Sequence, residues 1–223
     1  AQACRAEGLT GIGNIGAAFS AHPAALETHL TSDRTWRERL TFGMGSTAYQ
    51  LGRYDIAIAS AQEAISISPH KAENYKLLAV AYLYSNLFDD SLRAARTVLN
   101  LNLDDLANLT WYADHVARLV TKHNALASPN LQNQAKQALQ EAQNALYQGA
   151  QMAPNRVDLS VKLSRLQQMA GDSASALVTI NLVVKNEHAT VEHLIAAAEQ
   201  LQALGDLAGA VICLEKAVAL DRS

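Results

Sequence analysis

The chain has 223 residues, 49% of them hydrophobic and 17% charged, and its 18 Lys and Arg against 21 Asp and Glu leave a formal net charge of −3. That balance offers no broad cationic surface for nucleic acid, and no apolar run reaches the roughly 18 residues that span a bilayer. Aromatic residues make up only 5% of the chain, so a packed interior must be built from aliphatic side chains.

Residues 1–37 read as an N-terminal arm. The string Gly11 to Gly16 matches the dinucleotide fingerprint G-x-G-x-x-G letter for letter, but that motif needs a strand before it and a helix after it. Here AQACRAEGLT precedes it and Pro23 interrupts the segment after it. The arm reads instead as a close-packing segment. Gly8, Gly11, Gly13 and Gly16 each cost about 1 kcal/mol relative to Ala in a helix, so the arm is expected to order only when docked. The start at Ala1-Gln2-Ala3 resembles an end left by signal peptidase, and the low charged fraction agrees with it. The sequence expectation is therefore an exported protein, periplasmic, cell-surface or extracellular, with a cytoplasmic one as the alternative.

From residue 38 onward a pattern returns at a fixed interval. Ala57, Ser91, Ala142, Ala176 and Ala210 are spaced by 34, 51, 34 and 34 residues. Five residues before each stands Gly52, Asn86, Gln137, Gly171 or Gly205, and Pro69 and Pro154 close two of the units. A period of 34 with two helical halves marks a helix-turn-helix array. First helices are predicted near 38–51, 72–85, 106–120, 157–170 and 191–204, and second helices near 55–67, 89–101, 131–153, 174–186 and 208–221. The units run 38–71, 72–105, 106–156, 157–190 and 191–223. The third carries 17 extra residues between its helices, with Ser128 predicted as the cap and Pro129 as a first-turn residue of a long helix rich in Gln and Asn. That helix should turn a solvated face outward, or offer a contact ridge of uncharged hydrogen bonds.

The segments AYQLGRYDIAIASAQEAISISP and LGDLAGAVICLEKAVALD resemble the second half of a tetratricopeptide repeat, and the resemblance covers about residues 38–223. It implies an all-α, right-handed superhelical solenoid of about five repeats, with no cofactor and with proteins as partners. Glycine ends the first helix of a unit, alanine lets backbones approach, and proline stops the second helix.

No catalytic constellation stands out, and the chain is read as non-enzymatic. The seven histidines show no i, i+4 pair for a metal, no serine has a nucleophile-elbow context, and Asp89-Asp90 and Asp104-Asp105 read as helix caps. Asn108-Leu109-Thr110 is a glycosylation triplet on a predicted helix. Function is then sought on two surfaces. The concave wall should carry Phe42, Ser46, Tyr49, Lys76, Leu77, Val80, Tyr84, Thr110, Trp111, Asp114, Arg118, Arg165 and Glu199, a mixture suited to an extended peptide or a partner helix. Relatives that grip a chaperone C-terminus use a basic and Asn clamp, from which Phe42, Ser46, Leu77, Ala107 and Trp111 depart. The ends form the second surface: the arm with Cys4, Gly11, Gly13 and Gly16, and the last helix with Leu207, Val211, Ile212, Cys213, Leu214, Val218 and Leu220. An uncovered apolar end predicts association, by end-to-end contact between copies; in an oxidising compartment Cys4 and Cys213 could join between neighbours or within one chain, and in a reducing one they are simply small apolar residues. Alternatively the arm folds back on its own solenoid, or the chain is truncated and lacks a cap. The leading expectation is a scaffold that assembles end to end into an oligomer or filament. The other is a monomeric adaptor that binds a peptide or envelope protein in its groove.

Overall fold

The computed structural model describes residues 16–17, 19–21 and 34–221, so the arm positions Cys4, Gly11 and Gly13 lie outside the described residues. The chain divides into two compact units, Ala1–Asn102 and Leu103–Ser223. The first holds α1 (Arg34–Gln50), α2 (Tyr54–Ile67), α3 (Ala72–Tyr84) and α4 (Phe88–Leu101). The second holds α5 (Leu106–Lys122), α6 (Gln132–Met152), α7 (Val157–Met169), α8 (Ser173–Lys185), α9 (Val191–Ala203) and α10 (Leu207–Asp221). No strand occurs among the described residues, and no helix there is long and apolar enough to cross a membrane. Consecutive helices within each unit pack as antiparallel neighbours, and first helices also touch one another, α1 on α3, α5 on α7 and α7 on α9. Each predicted helix is present with ends within a few residues. The largest offset is at α1, which begins at Arg34.

The turns inside the repeats share one construction. Gly52, Asn86, Gly171 and Gly205 all have positive φ, between 60° and 87°. The next residue sends its N–H back five positions, as in Arg53 to Ala48 O (2.8 Å), Leu87 to Tyr82 O (3.0 Å), Asp172 to Gln167 O (2.9 Å) and Asp206 to Leu201 O (2.9 Å). This closes a Schellman motif over each first helix, and Gly or Asn is favoured because a Cβ resists φ > 0. The third repeat corrects the sequence reading. Gln137 is an interior residue of α6, and the turn lies at Asn124, φ 47°, where Ala125 donates to Val120 O at 3.0 Å. Ser128 does not cap α6 with its side chain either. Its carbonyl accepts from Leu131 and Gln132 in a separate turn, and the helix begins at Gln132. The extra residues thus lengthen α5 and α6 and bridge them with residues 123–131.

The small residues mark where first and second helices cross. In the second repeat Ser91 Oγ donates to Ala79 O at 2.8 Å, and in the fourth Ser164 Oγ donates to Ala176 O at 2.8 Å. The same two crossing positions are used with serine and alanine exchanged. In the first repeat the pair is Gly45 and Ala57, and a Cβ on Gly45 would stand 2.9 Å from Leu77 Cδ2 and 3.1 Å from Ser60 Cβ. Larger side chains have no room, so backbones approach and aliphatic residues close around them. Leu109, Leu119, Leu139, Leu146, Ile180, Leu194 and Leu201 are completely buried, each worth about 2 kcal/mol of transfer free energy.

The polar face of α6 is exposed. Gln140 Nε2 donates to Asn144 Oδ1 at 3.2 Å and Gln137 Nε2 to Glu141 Oε1 at 3.0 Å, one turn apart. Its other face buries Ala135, Ala138, Leu139, Ala142, Ala145, Leu146 and Gly149. Of the acidic pairs, Asp105 is a true N-cap whose Oδ1 accepts from Ala107 N (2.8 Å) and Asn108 N (3.2 Å). Asp89 and Asp90 sit inside the first turn of α4, where they complement the helix dipole without capping it. Asn108 is 4% exposed, so a sugar cannot reach it in the folded chain.

Candidate partner-binding surfaces

In the first unit the helices bring aromatic residues together at the end of the first-helix wall. Tyr49 of α1 meets Tyr84 of α3 edge-on with ring centroids 5.6 Å apart, and Tyr54 of α2 stacks on Tyr84 at 5.6 Å and 21°. Tyr84 is 40% exposed. Edge-to-face and offset contacts of this kind add about 0.5–1.5 kcal/mol beyond burial. Phe42 is half-buried with Lys71 Nζ 5.8 Å over its ring, and Lys71 also donates to the buried Glu38 carboxylate at 2.9 Å. Lys76 lies 4.0 Å from Glu73 on the same helix. Phe19 packs by the cluster of Ala48, Ala57 and Ala81, with Arg53 5.6 Å above its ring, and Gly16 is helical and exposed nearby in the chain.

In the second unit the first-helix wall opens into a cleft of about 430 Å³ between α5 and α7. Asp114 and Arg118 come from α5 and Lys162 and Arg165 from α7, over a floor that includes Leu146, Leu166 and Met169. Lys162 Nζ sits 2.6 Å from both Asp114 oxygens. Arg118 uses only Nε inside the cleft, donating to the Asp114 carbonyl at 3.3 Å. Arg165 reaches Glu199 at 3.8 Å, a long and exposed pair that contributes little to stability. Three cations and one carboxylate therefore line the cleft, with Glu199 reaching Arg165 from outside it, and the two guanidinium groups keep donors to offer. Behind them Trp111 stacks on His115, with centroids 4.9 Å apart and planes 14° apart. His115 is fully buried, and burial, helped by the Arg118 charge, lowers its pKa to about 3. It is a neutral packing group that holds Trp111, and it adds no charge to the cleft.

A tetratricopeptide repeat model matches residues 39–71. Among solved structures the chain is similar to TTC0263, a thermophilic tetratricopeptide repeat protein of Thermus thermophilus, with 21% identity, 82% of this chain and 91% of that one covered, and a TM-score of 0.52. It is similar as well to YrrB, a tetratricopeptide repeat protein with an unusual peptide-binding site, with 11% identity, coverage of 91% and 93%, and a TM-score of 0.53. MamA protein matches at 16% identity, with coverage of 83% and 92% and a TM-score of 0.51.

The described residues have the fold of a tetratricopeptide repeat array, and residues 39–71 match that repeat's sequence model.

No curated protein matches the sequence. Within the array, Asp114, Arg118 and Arg165 share a single cleft, whereas Trp111 stands behind it and Phe42, Tyr49, Lys76 and Tyr84 belong to the first unit. Sequence reasoning missed Lys162. Its spacing of three residues from Arg165, which sets both on one helical face, was the available signal.

The last repeat exposes Leu207 (64%), Val211 (54%), Leu214 (46%) and Val218 (50%) along one stripe of α10. Cys213 points the other way. It is fully buried among Ile180, Ala197, Leu201 and Ala217, and burial raises its thiol pKa above the ordinary value. In this position it acts as a small core residue.

Proposed function

We propose that this tetratricopeptide repeat protein is a non-enzymatic scaffold that holds an extended, acidic segment of a partner protein along the first helices of its second unit. The observation that carries the reading is the convergence of Arg118, Lys162 and Arg165 on one cleft with an aliphatic floor and Asp114 as the one acidic lining residue. An acidic side chain can be gripped by a guanidinium fork, while an alternate apolar side chain settles on Leu146, Leu166 and Met169. The test uses a fluorescein-labelled Glu-Leu-Glu-Leu-Glu peptide and its Lys-Leu-Lys-Leu-Lys counterpart, read by anisotropy. The acidic peptide is expected to bind saturably, to weaken with salt, and to lose at least tenfold in Arg118→Glu/Arg165→Glu. Equal binding of both peptides, or an unchanged affinity in that variant, overturns the reading.

A second reading, end-to-end self-association, is favoured by the α10 stripe. The residues equivalent to Leu214 in the first, third and fourth repeats are Ala61, Leu146 and Ile180, each completely buried. Inside the array this register position is therefore covered by a following helix, and on α10 a second copy would cover it through a heterologous contact. With this reading goes an exported or cell-surface setting, supported by the low charged fraction of 17%. Light scattering after size exclusion tests it: larger species should appear in the wild type, disperse in Val211→Asp/Val218→Asp, and persist in reductant because Cys213 is buried. A single 24 kDa species in the wild type refutes it.

A further inference from the structure

The second helices of the second unit enclose another cleft, of about 520 Å³, between α6, α7 and α8. None of the eleven residues that line it carries a charge. Its origin can be followed through the register of the array. Position for position, the first helices carry Tyr75 and Tyr82, then Leu109 and Val116, then Ser160 and Gln167, then Leu194 and Leu201. Leu109, Val116, Leu194 and Leu201 are at most 1% exposed and fill the space beneath the second helices. Ser160 and Gln167 are too short or too polar to do so, and the space stays open.

The first unit shows how the same place is filled. Tyr75 and Tyr82 occupy it, both half-buried, and Gln62 Nε2 donates to the Tyr82 hydroxyl at 3.1 Å. In the second unit the two partners are exchanged: Tyr147 stands at the position of Gln62, and Gln167 at that of Tyr82. The exchange does not restore the bond. Tyr147 is 58% exposed, and the buried Oε1 of Gln167 has no donor among the described residues. A buried acceptor without a donor costs about 1–3 kcal/mol, so whatever enters should bring one. The rim has changed too. Val178 stands where the second repeat has Arg93, which pairs with Asp90 at 3.1 Å, and it is 65% exposed with Leu182 at 61%. Large apolar side chains left in water beside a neutral cleft mark a contact surface, and an uncharged occupant is the one that enters without the desolvation penalty of a charge.

We infer that this cleft holds a tyrosine side chain presented by a partner protein. Its ring lies against Leu163, Val178 and Leu182, and its hydroxyl donates to Gln167 Oε1. The guest thus takes the place that the chain's own Tyr75 and Tyr82 fill in the first unit. The site shares no residue with the cationic cleft, so the two stand or fall separately.

The test is a backbone amide NMR titration of the whole chain with N-acetyl-tyrosinamide and, in parallel, N-acetyl-phenylalaninamide. Saturable shifts confined to α6, α7 and α8 are expected, with the tyrosine amide about fivefold tighter, the worth of one net hydrogen bond. Gln167→Leu should remove that preference while leaving phenylalaninamide binding intact. Ser160→Tyr should fill the cleft and abolish binding, and Val178→Asp, at the exposed rim where folding is not at risk, should weaken both ligands. Equal affinity for the two amides, shifts scattered over the surface, or binding unaffected by Val178→Asp would overturn the inference. So would binding only in Tyr147→Ala, which would mean that the chain's own Tyr147 occupies the cleft.

Discussion

The buried His115 makes stability depend on pH below about 6.5. In the folded chain its ring is buried on Trp111 and its pKa is about 3, first because of burial and then because of the Arg118 charge. In the unfolded chain it returns to about 6.5. Between these values the unfolded state binds more protons than the folded one, so stability rises with pH, is complete above about 6.5, and is lost on acidification. At pH 5, about 1.5 units below the unfolded value, the loss is about 2 kcal/mol. Asp158, whose pKa is held down by the Arg156 hydrogen bonds at 2.8 and 2.9 Å, also loses its contribution on acidification, but in a lower window. Its contribution is present above its unfolded value near 4 and disappears below that, so it hardly changes between pH 7.5 and 5. The assay is urea unfolding of the wild type and His115→Gln, followed by far-ultraviolet circular dichroism at both pH values. The wild type should lose about 2 kcal/mol more than the variant on going to pH 5. Equal losses would refute the assignment of a buried, neutral imidazole.

Other substitutions probe the packing and the caps. Asp105→Ala removes the acceptor for Ala107 N and Asn108 N and should cost about 1 kcal/mol, seen as a lower urea midpoint at unchanged slope. Gly45→Ala gains helix propensity of about 1 kcal/mol but forces a Cβ to 2.9 Å from Leu77 Cδ2. Overpacking costs about 1–3 kcal/mol, so a net loss is expected in thermal unfolding. Ser164→Ala removes the Oγ bond to Ala176 O. It should destabilise by about 1 kcal/mol, and Ser91→Ala by a similar amount, since the same crossing is bonded in the opposite direction.

Much of the fold was legible because the repeat turns local chemistry into position. The glycines and Asn86 name the turns, since only such residues accept positive φ cheaply. The Ala and Ser marks name the helix crossings, since only small side chains fit there. Where the period broke, the reading slipped: in the third repeat the turn moved to Asn124 and Gln137 became helix interior, because 17 inserted residues left no register to count from. The candidate sites were legible only in part. Asp114, Arg118 and Arg165 were found by counting along first helices, but Lys162 and the Trp111–His115 stack depend on which side chains meet across two helices.

The period, the small-residue crossings and the turn chemistry belong to the sequence alone, because each is a constraint between residues close along the chain. Which cations share a cleft, that Cys213 faces inward, and that Ser160 and Gln167 leave a space open were decided by tertiary packing. Those outcomes depend on volumes and charges contributed by different helices, and no local pattern carries that sum.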